Sequence, residues 1–120
     1  MRELKKAITV LLRGVHPTVY YENADPEAGY PYIVYSFGVG WNNRHNEIIP
    51  LDIDVWDLGE SSAQVDEIVT MLKALDGLNY KDHLQQFSLY YDRNLDTSPE
   101  DRRHKRKTVT LELRYHKIKP

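Results

Sequence analysis

One stretch constrains this chain more than any other: residues 48–58 read Ile-Ile-Pro-Leu-Asp-Ile-Asp-Val-Trp-Asp-Leu. From Leu51 onward, Leu51, Ile53 and Val55 alternate with Asp52, Asp54 and Trp56, the two-residue period of a strand with one covered face. Pro50 has no N–H to give to a ladder, so it marks the start of the strand, a bulge or an edge. Beyond Gly59 the period lengthens, and Val65, Ile68, Val69, Leu72 and Leu75 make the apolar stripe of a helix over 61–75. A strand that feeds a helix able to fold back over it requires a sheet covered by helix on at least one face.

The rest of the chain supplies the partners. Residues 2–13 place Leu4, Ala7, Ile8, Leu11 and Leu12 at helical spacing, with Gly14 and Pro17 closing the segment. Residues 18–21 read as a short strand followed by an exposed loop over 22–29. Residues 30–37 form a second strand, aromatic on both faces, which predicts that neither face stays fully wet when the protein is at work. A long hairpin connection over about 38–47 carries Trp41, a candidate contact residue. Ser61 with Gln64 has the spacing of a capping box, and Asp76-Gly77 ends the second helix. Residues 78–86 read as loop, whereas 87–92 and 108–115 alternate as strands that pair antiparallel. Between them, 93–107 is polar and unpatterned and reads as a long loop. The predicted fold is a single α+β domain over 1–120. It has an antiparallel or mixed sheet of about five strands and two helices packed on one face, in the order α-β-β-β-α-β-β. The opposite face then carries Asp52, Asp54, Trp56, Thr110, Glu112 and Arg114.

Composition removes several kinds of chemistry. With no cysteine among 120 residues, a disulfide framework and a thiolate zinc site are excluded, which fits synthesis in a reducing cytoplasm. No apolar run approaches the roughly 18 residues that a membrane helix needs. A net charge of −2 with 28% charged residues gives no overall basic field of the kind non-specific nucleic-acid binders use. Asp52 and Asp54 share a strand face, but two acids fall well short of the six or more oxygens that a calcium ion takes. The five histidines show no HExxH spacing, no serine sits in a GxSxG turn, and Gly38-Val39-Gly40 leads toward a strand with Asn43 where a dinucleotide fingerprint needs glycine. The expectation is a protein that is not an enzyme and uses no cofactor or metal. Nine tyrosines against two phenylalanines and two tryptophans point instead to surfaces covered on association. The run Arg102, Arg103, His104, Lys105, Arg106, Lys107 could touch phosphates or an acidic partner. Its neighbours Asp96, Glu100 and Asp101 partly cancel its field, so a solvated loop is the simpler reading and a small nucleic-acid-binding module the alternative.

The segments YPYIVY at 30–35 and IPLDIDVW at 49–56, followed by a helix and two strands, resemble the tail-terminator or tail-completion proteins of long-tailed bacteriophages and prophages, also called tail-to-head joining proteins. The resemblance runs over nearly the whole chain, including the first helix and Val19-Tyr20. It implies a virion structural protein, made in the bacterial host cytoplasm and placed at the head–tail junction. Such a protein forms a ring, usually of six subunits, that caps the tail tube, stops its polymerisation and presents the docking surface for the head. The implied partners are further copies of the chain, the tail-tube protein and a head-connector or neck protein, with passive contact to DNA in the channel and no membrane. On this reading Asp52, Asp54, Trp56, Tyr32 and Tyr35 are expected at the subunit interface. Trp41, Arg44, Arg102, Arg103, Lys105, Arg106 and Lys107 are expected to contact the tube, the connector or DNA. Another neck component, a head-closure or adaptor protein, is the rival within the same particle.

Overall fold

The alternating segment is the spine of the sheet. In a computed structural model, which describes residues 2–42, 46–59, 61–100 and 103–116, it forms β4 (Glu47–Leu58). The other elements are α1 (Arg2–Arg13), β1 (Val19–Tyr21), β2 (Tyr32–Phe37), β3 (Trp41–Asn42), α2 (Ala63–Lys73), β5 (Asn79–Lys81), β6 (Gln86–Asp96) and β7 (His104–His116). The strands run β1-β2-β4-β7-β6-β5 across one sheet, with β3 also paired to β4. β1 and β2 are parallel and every other pairing is antiparallel, so the sheet is mixed.

Leu51, Ile53 and Val55 are fully buried, and so are Val109 and Leu111 in the register positions beside Ile53 and Leu51 on β7. Both helices cover this inner face. Leu4, Ala7, Ile8 and Leu12 of α1 and Val65, Ile68, Val69 and Leu72 of α2 join one core with Tyr35, Phe87 and Leu89. A twelve-residue helix is marginal alone, so the roughly 1.5–3 kcal/mol from each large apolar side chain buried here holds α1 in place. Tyr35 adds a polar pin, since its hydroxyl donates to the Lys5 carbonyl at 3.0 Å and lies 2.6 Å from the Thr9 hydroxyl. Gln85 Nε2 donates to the Glu3 carbonyl at 2.9 Å and ties down the other end of α1.

The sheet has seven strands rather than about five, and the two added strands are short. β3 continues β2 past a bulge. Phe37 pairs with Leu51 and Trp41 with Ile48, so one extra residue lies on the β2–β3 side. Pro50 sits opposite that bulge. Its carbonyl accepts from Gly38 N at 2.8 Å, so its missing N–H points where the ladder is already interrupted. Gly40 passes so close to the Ile48 carbonyl that a Cβ would lie 2.8 Å from it, which is why glycine is needed there. β5, at three residues, is too short to show a period, and it is held by Tyr80 stacked on Phe87 at 4.8 Å.

The larger correction concerns 93–107. Most of this stretch is ladder rather than loop, because β6 extends to Asp96 and β7 begins at His104. No apolar alternation marks these arms because their pairing is polar. Asp96 faces Lys107 in register, and the Thr97 and Thr108 hydroxyls are 2.9 Å apart. A bulge between Tyr91 and Arg93 further breaks the count. The connection over 38–47 is also shorter than expected, its tip at 43–45 lying outside the described residues. At the start of α2 the predicted capping box does not form. Ser62 takes the N-cap position, its hydroxyl donates to Asp66 Oδ2 at 3.0 Å, and Ser61 Oγ accepts from Ala63 N at 3.2 Å. The helix also ends earlier than Asp76-Gly77, at Lys73 with Ala74 as its C-cap, and Gly77, at φ +83, serves the turn that follows, its N–H donating to the Leu89 carbonyl at 2.8 Å.

Candidate functional site

With both helices on the inner face, the even-numbered side of β4 has no layer over it among the described residues. Its centre is acidic. Asp52 lies in register between Ser36 and Thr110, and Asp54 between Val34 and Thr108. Each carboxylate accepts a threonine hydroxyl, Asp52 from Thr110 at 2.8 Å and Asp54 from Thr108 at 2.6 Å, through one oxygen. The threonines fix the direction of the carboxylates without neutralising them.

At the end of the sheet where β4 finishes, an aromatic row crosses four strands. Tyr20 of β1 meets Tyr32 of β2 edge-on at 6.0 Å, Tyr32 stacks on Trp56 of β4 at 6.3 Å, and the Arg106 guanidinium of β7 lies 4.8 Å over the Trp56 ring. Arg106 is held there by Nε, which donates to the Thr97 carbonyl and hydroxyl, both at 2.9 Å. Tyr30 flanks the row, 5.2 Å from Tyr32 and 6.3 Å from His104. Partial burial, and then the neighbouring Tyr30, raise the Tyr32 phenol above its ordinary value. Such rings offer large, stiff contact area with polar tips, which suits a surface buried on association. At the other end of the face Trp41, 54% exposed, borders Ile48 and Pro50.

The structure gathers Asp52, Asp54, Trp56 and Tyr32 onto this outer face. Tyr35 falls on the other side. It is 1% exposed beneath α1, so it belongs to the core and not to an exposed interface. Its odd position in the β2 alternation was the sequence signal for this. The basic run is also divided. Lys105 and Lys107 pair with Asp57 and Val55 on the helix-covered side, where Lys107 forms an ion pair with Asp66 of α2, while Arg106 points to the outer face. Arg103 lies just before β7, its carbonyl accepting from Gly59 N at 2.6 Å. Arg44 and Arg102 lie outside the described residues. Sequence reasoning missed Tyr20, Tyr30 and the place of Arg106 in the row. Counting back by twos from Thr110 would have put Arg106 on the outer face, but the Tyr20–Tyr32 contact depends on a parallel β1–β2 register that no local pattern encodes.

Among the described residues no group of three or more His, Asp or Glu side chains is placed to hold a metal ion, and no helix is long and apolar enough to cross a membrane. No protein-family model matches the chain, and no curated protein does. The fold, however, has a solved counterpart. A chain of the structure titled "Virion of native gene transfer agent (GTA) particle" superposes with a TM-score of 0.65 over 88% of this chain and 84% of that one, at 16% sequence identity. That likeness is one of fold.

Proposed function

We propose that this protein is a structural subunit of a phage-like virion, and that within the particle it acts as a tail terminator. In that role it forms a ring, six subunits being the expected number, at the head–tail junction, capping the tail tube and offering the surface on which the head is mounted. The observation that carries this reading is the fold shared with a chain of a gene transfer agent virion across most of both chains. The resemblance of 30–35 and 49–56 to tail-completion proteins supports the terminator role within it. An uncovered sheet face with an aromatic row and aligned carboxylates is the kind of surface that a subunit interface uses. Asp52, Asp54, Trp56 and Tyr32 are the interface residues on this reading. On the same reading Trp41 and Arg106 contact the neighbouring ring or tube. The division of Lys105, Arg106 and Lys107 between two faces weighs against a continuous phosphate-binding stripe and so against a nucleic-acid-binding module.

Deletion of the gene and negative-stain microscopy of the resulting particles test the proposal. The expected outcome is tails of uncontrolled length separated from filled heads, reversed by the gene supplied in trans. Tails of normal length beside heads that lose their DNA would assign the protein to head closure instead. Intact particles with normal tails would overturn both readings.

A further inference from the structure

The outer face holds an electrostatic imbalance that the fold itself does not relieve. Its cations are already engaged: Arg93 with Asp92 at 3.6 Å, Arg114 with Glu112 at 3.1 Å, and Arg106 over Trp56. Its two central carboxylates are not, since among the described residues neither Asp52 nor Asp54 has an ion pair. Two residues apart on a strand, they stand about 6.6 Å from each other on the same side, with neutral residues beside them.

The matching imbalance is on α1. Arg2, Lys6, Val10 and Arg13 follow one another along its solvent side at helical spacing, and none of the three cations has an ion pair among the described residues. Lys5 is already occupied, its ammonium 4.3 Å over the Tyr21 ring. Val10 is 68% exposed in the middle of this basic stripe, beside a groove lined by Tyr21 and Thr9. An exposed valine framed by unpaired cations contributes little to the folding of its own chain.

We infer that a second copy of this chain lays its α1 along the outer sheet face, Arg2 meeting Asp54 and Lys6 meeting Asp52. Charge and spacing agree. One helical turn carries Lys6 about 6 Å along the axis from Arg2, close to the 6.6 Å step between alternate strand residues. The next turn brings Val10 to Pro50 when the helix runs opposite to β4, the direction the charges favour, because Arg106 already lies over Trp56 at the other end. The pairing cannot occur within one chain, because α1 packs on the inner face of the sheet that carries the carboxylates outward. The two surfaces are different, so the contact is heterologous and can propagate from copy to copy until it closes. The inference rests on the ring reading proposed above and supplies its contact surfaces.

The absence of cysteine makes the test direct. Val10→Cys and Ser36→Cys chains, the second altered beside Asp52, are mixed with a short bismaleimide. The experiment is run with free protein and with particles assembled from the two variants. The expected product is a mixed Val10–Ser36 dimer in excess over either like pair. Arg2→Glu with Lys6→Glu on the first chain should lower its yield about tenfold, as should Asp52→Lys with Asp54→Lys on the second. Combining both reversals should restore it. A yield indifferent to these charges, an excess of like pairs, or no cross-link in either setting overturns the inference. A failed cross-link with tail defects on gene deletion would sink this contact and leave the virion role standing. A charge-dependent cross-link with normal particles would do the reverse.

Discussion

The two faces of β4 use the same twelve positions of sequence for different ends. On one side Leu51, Ile53 and Val55 are completely removed from water beneath two helices. On the other, Asp52 and Asp54 remain half-buried beside Trp56, with no element among the described residues packed over them. The inner face is the part that makes the chain fold. The outer face stabilises the isolated fold less than the inner one, because its aromatic and acidic groups keep part of their solvent contact.

The contrast is sharpest in stability. Leu111→Ala, opposite Leu51 in the fully buried row, should lower the unfolding free energy by about 2–5 kcal/mol through lost transfer energy and the cavity left behind. Val34→Ala, outward beside Asp54, should cost under about 1 kcal/mol. Urea unfolding of the two variants measures both, and equal losses would break the distinction between the faces. A smaller effect separates Tyr35 from the outward tyrosines. Tyr35→Phe removes the hydroxyl that links β2 to the Lys5 carbonyl and Thr9, for an expected loss of about 1 kcal/mol in the same assay. No change would mean that α1 is docked by its apolar stripe alone.

How far the sequence could be read follows from the same division. Wherever a face is buried by apolar residues the pattern was legible: both helices, the core of β4, and the paired stretches around Leu89 and Leu111 could be placed from periodicity. Where strands are held by polar partners it was not. The outer halves of β6 and β7 have no hydrophobic alternation, because their side chains take polar partners: Thr97 meets Thr108, Asp96 accepts from Ser98, and Lys107 reaches Asp66. The candidate surface was half legible for that reason. Counting along β4 puts Asp52, Asp54 and Trp56 on one face, and Arg106 follows only if the alternation is carried back from Thr110 into the polar arm of β7, whereas Tyr20 joins them only through the parallel register of β1 on β2. Aromatic content on both faces of β2 points to association and groups Tyr35 with the interface. One of those faces is core.

The smallest predicted effect tests the divided basic run. Lys107, on the helix-covered side of β7, reaches Asp66 in the first turn of α2. Hydrogen bonding from Lys107, and then from Ser62, holds the Asp66 carboxyl below its ordinary value of 3.8. A carboxyl depressed in the folded state contributes stability that is complete above its unfolded pKa and is lost as pH falls through the folded one. Asp66→Asn should therefore be less stable than the parent at neutral pH, with the gap closing as the pH drops below about 4. Because the Asp66 side chain is 48% exposed and that of Lys107 28%, solvent screening keeps the gap under about 1 kcal/mol. Arg106, one residue away and facing outward over Trp56, has no ion pair with a carboxylate among the described residues. An Arg106→Gln variant should show no such closing of the gap, and a matching pH dependence at both positions would mean that the run acts as one cluster after all.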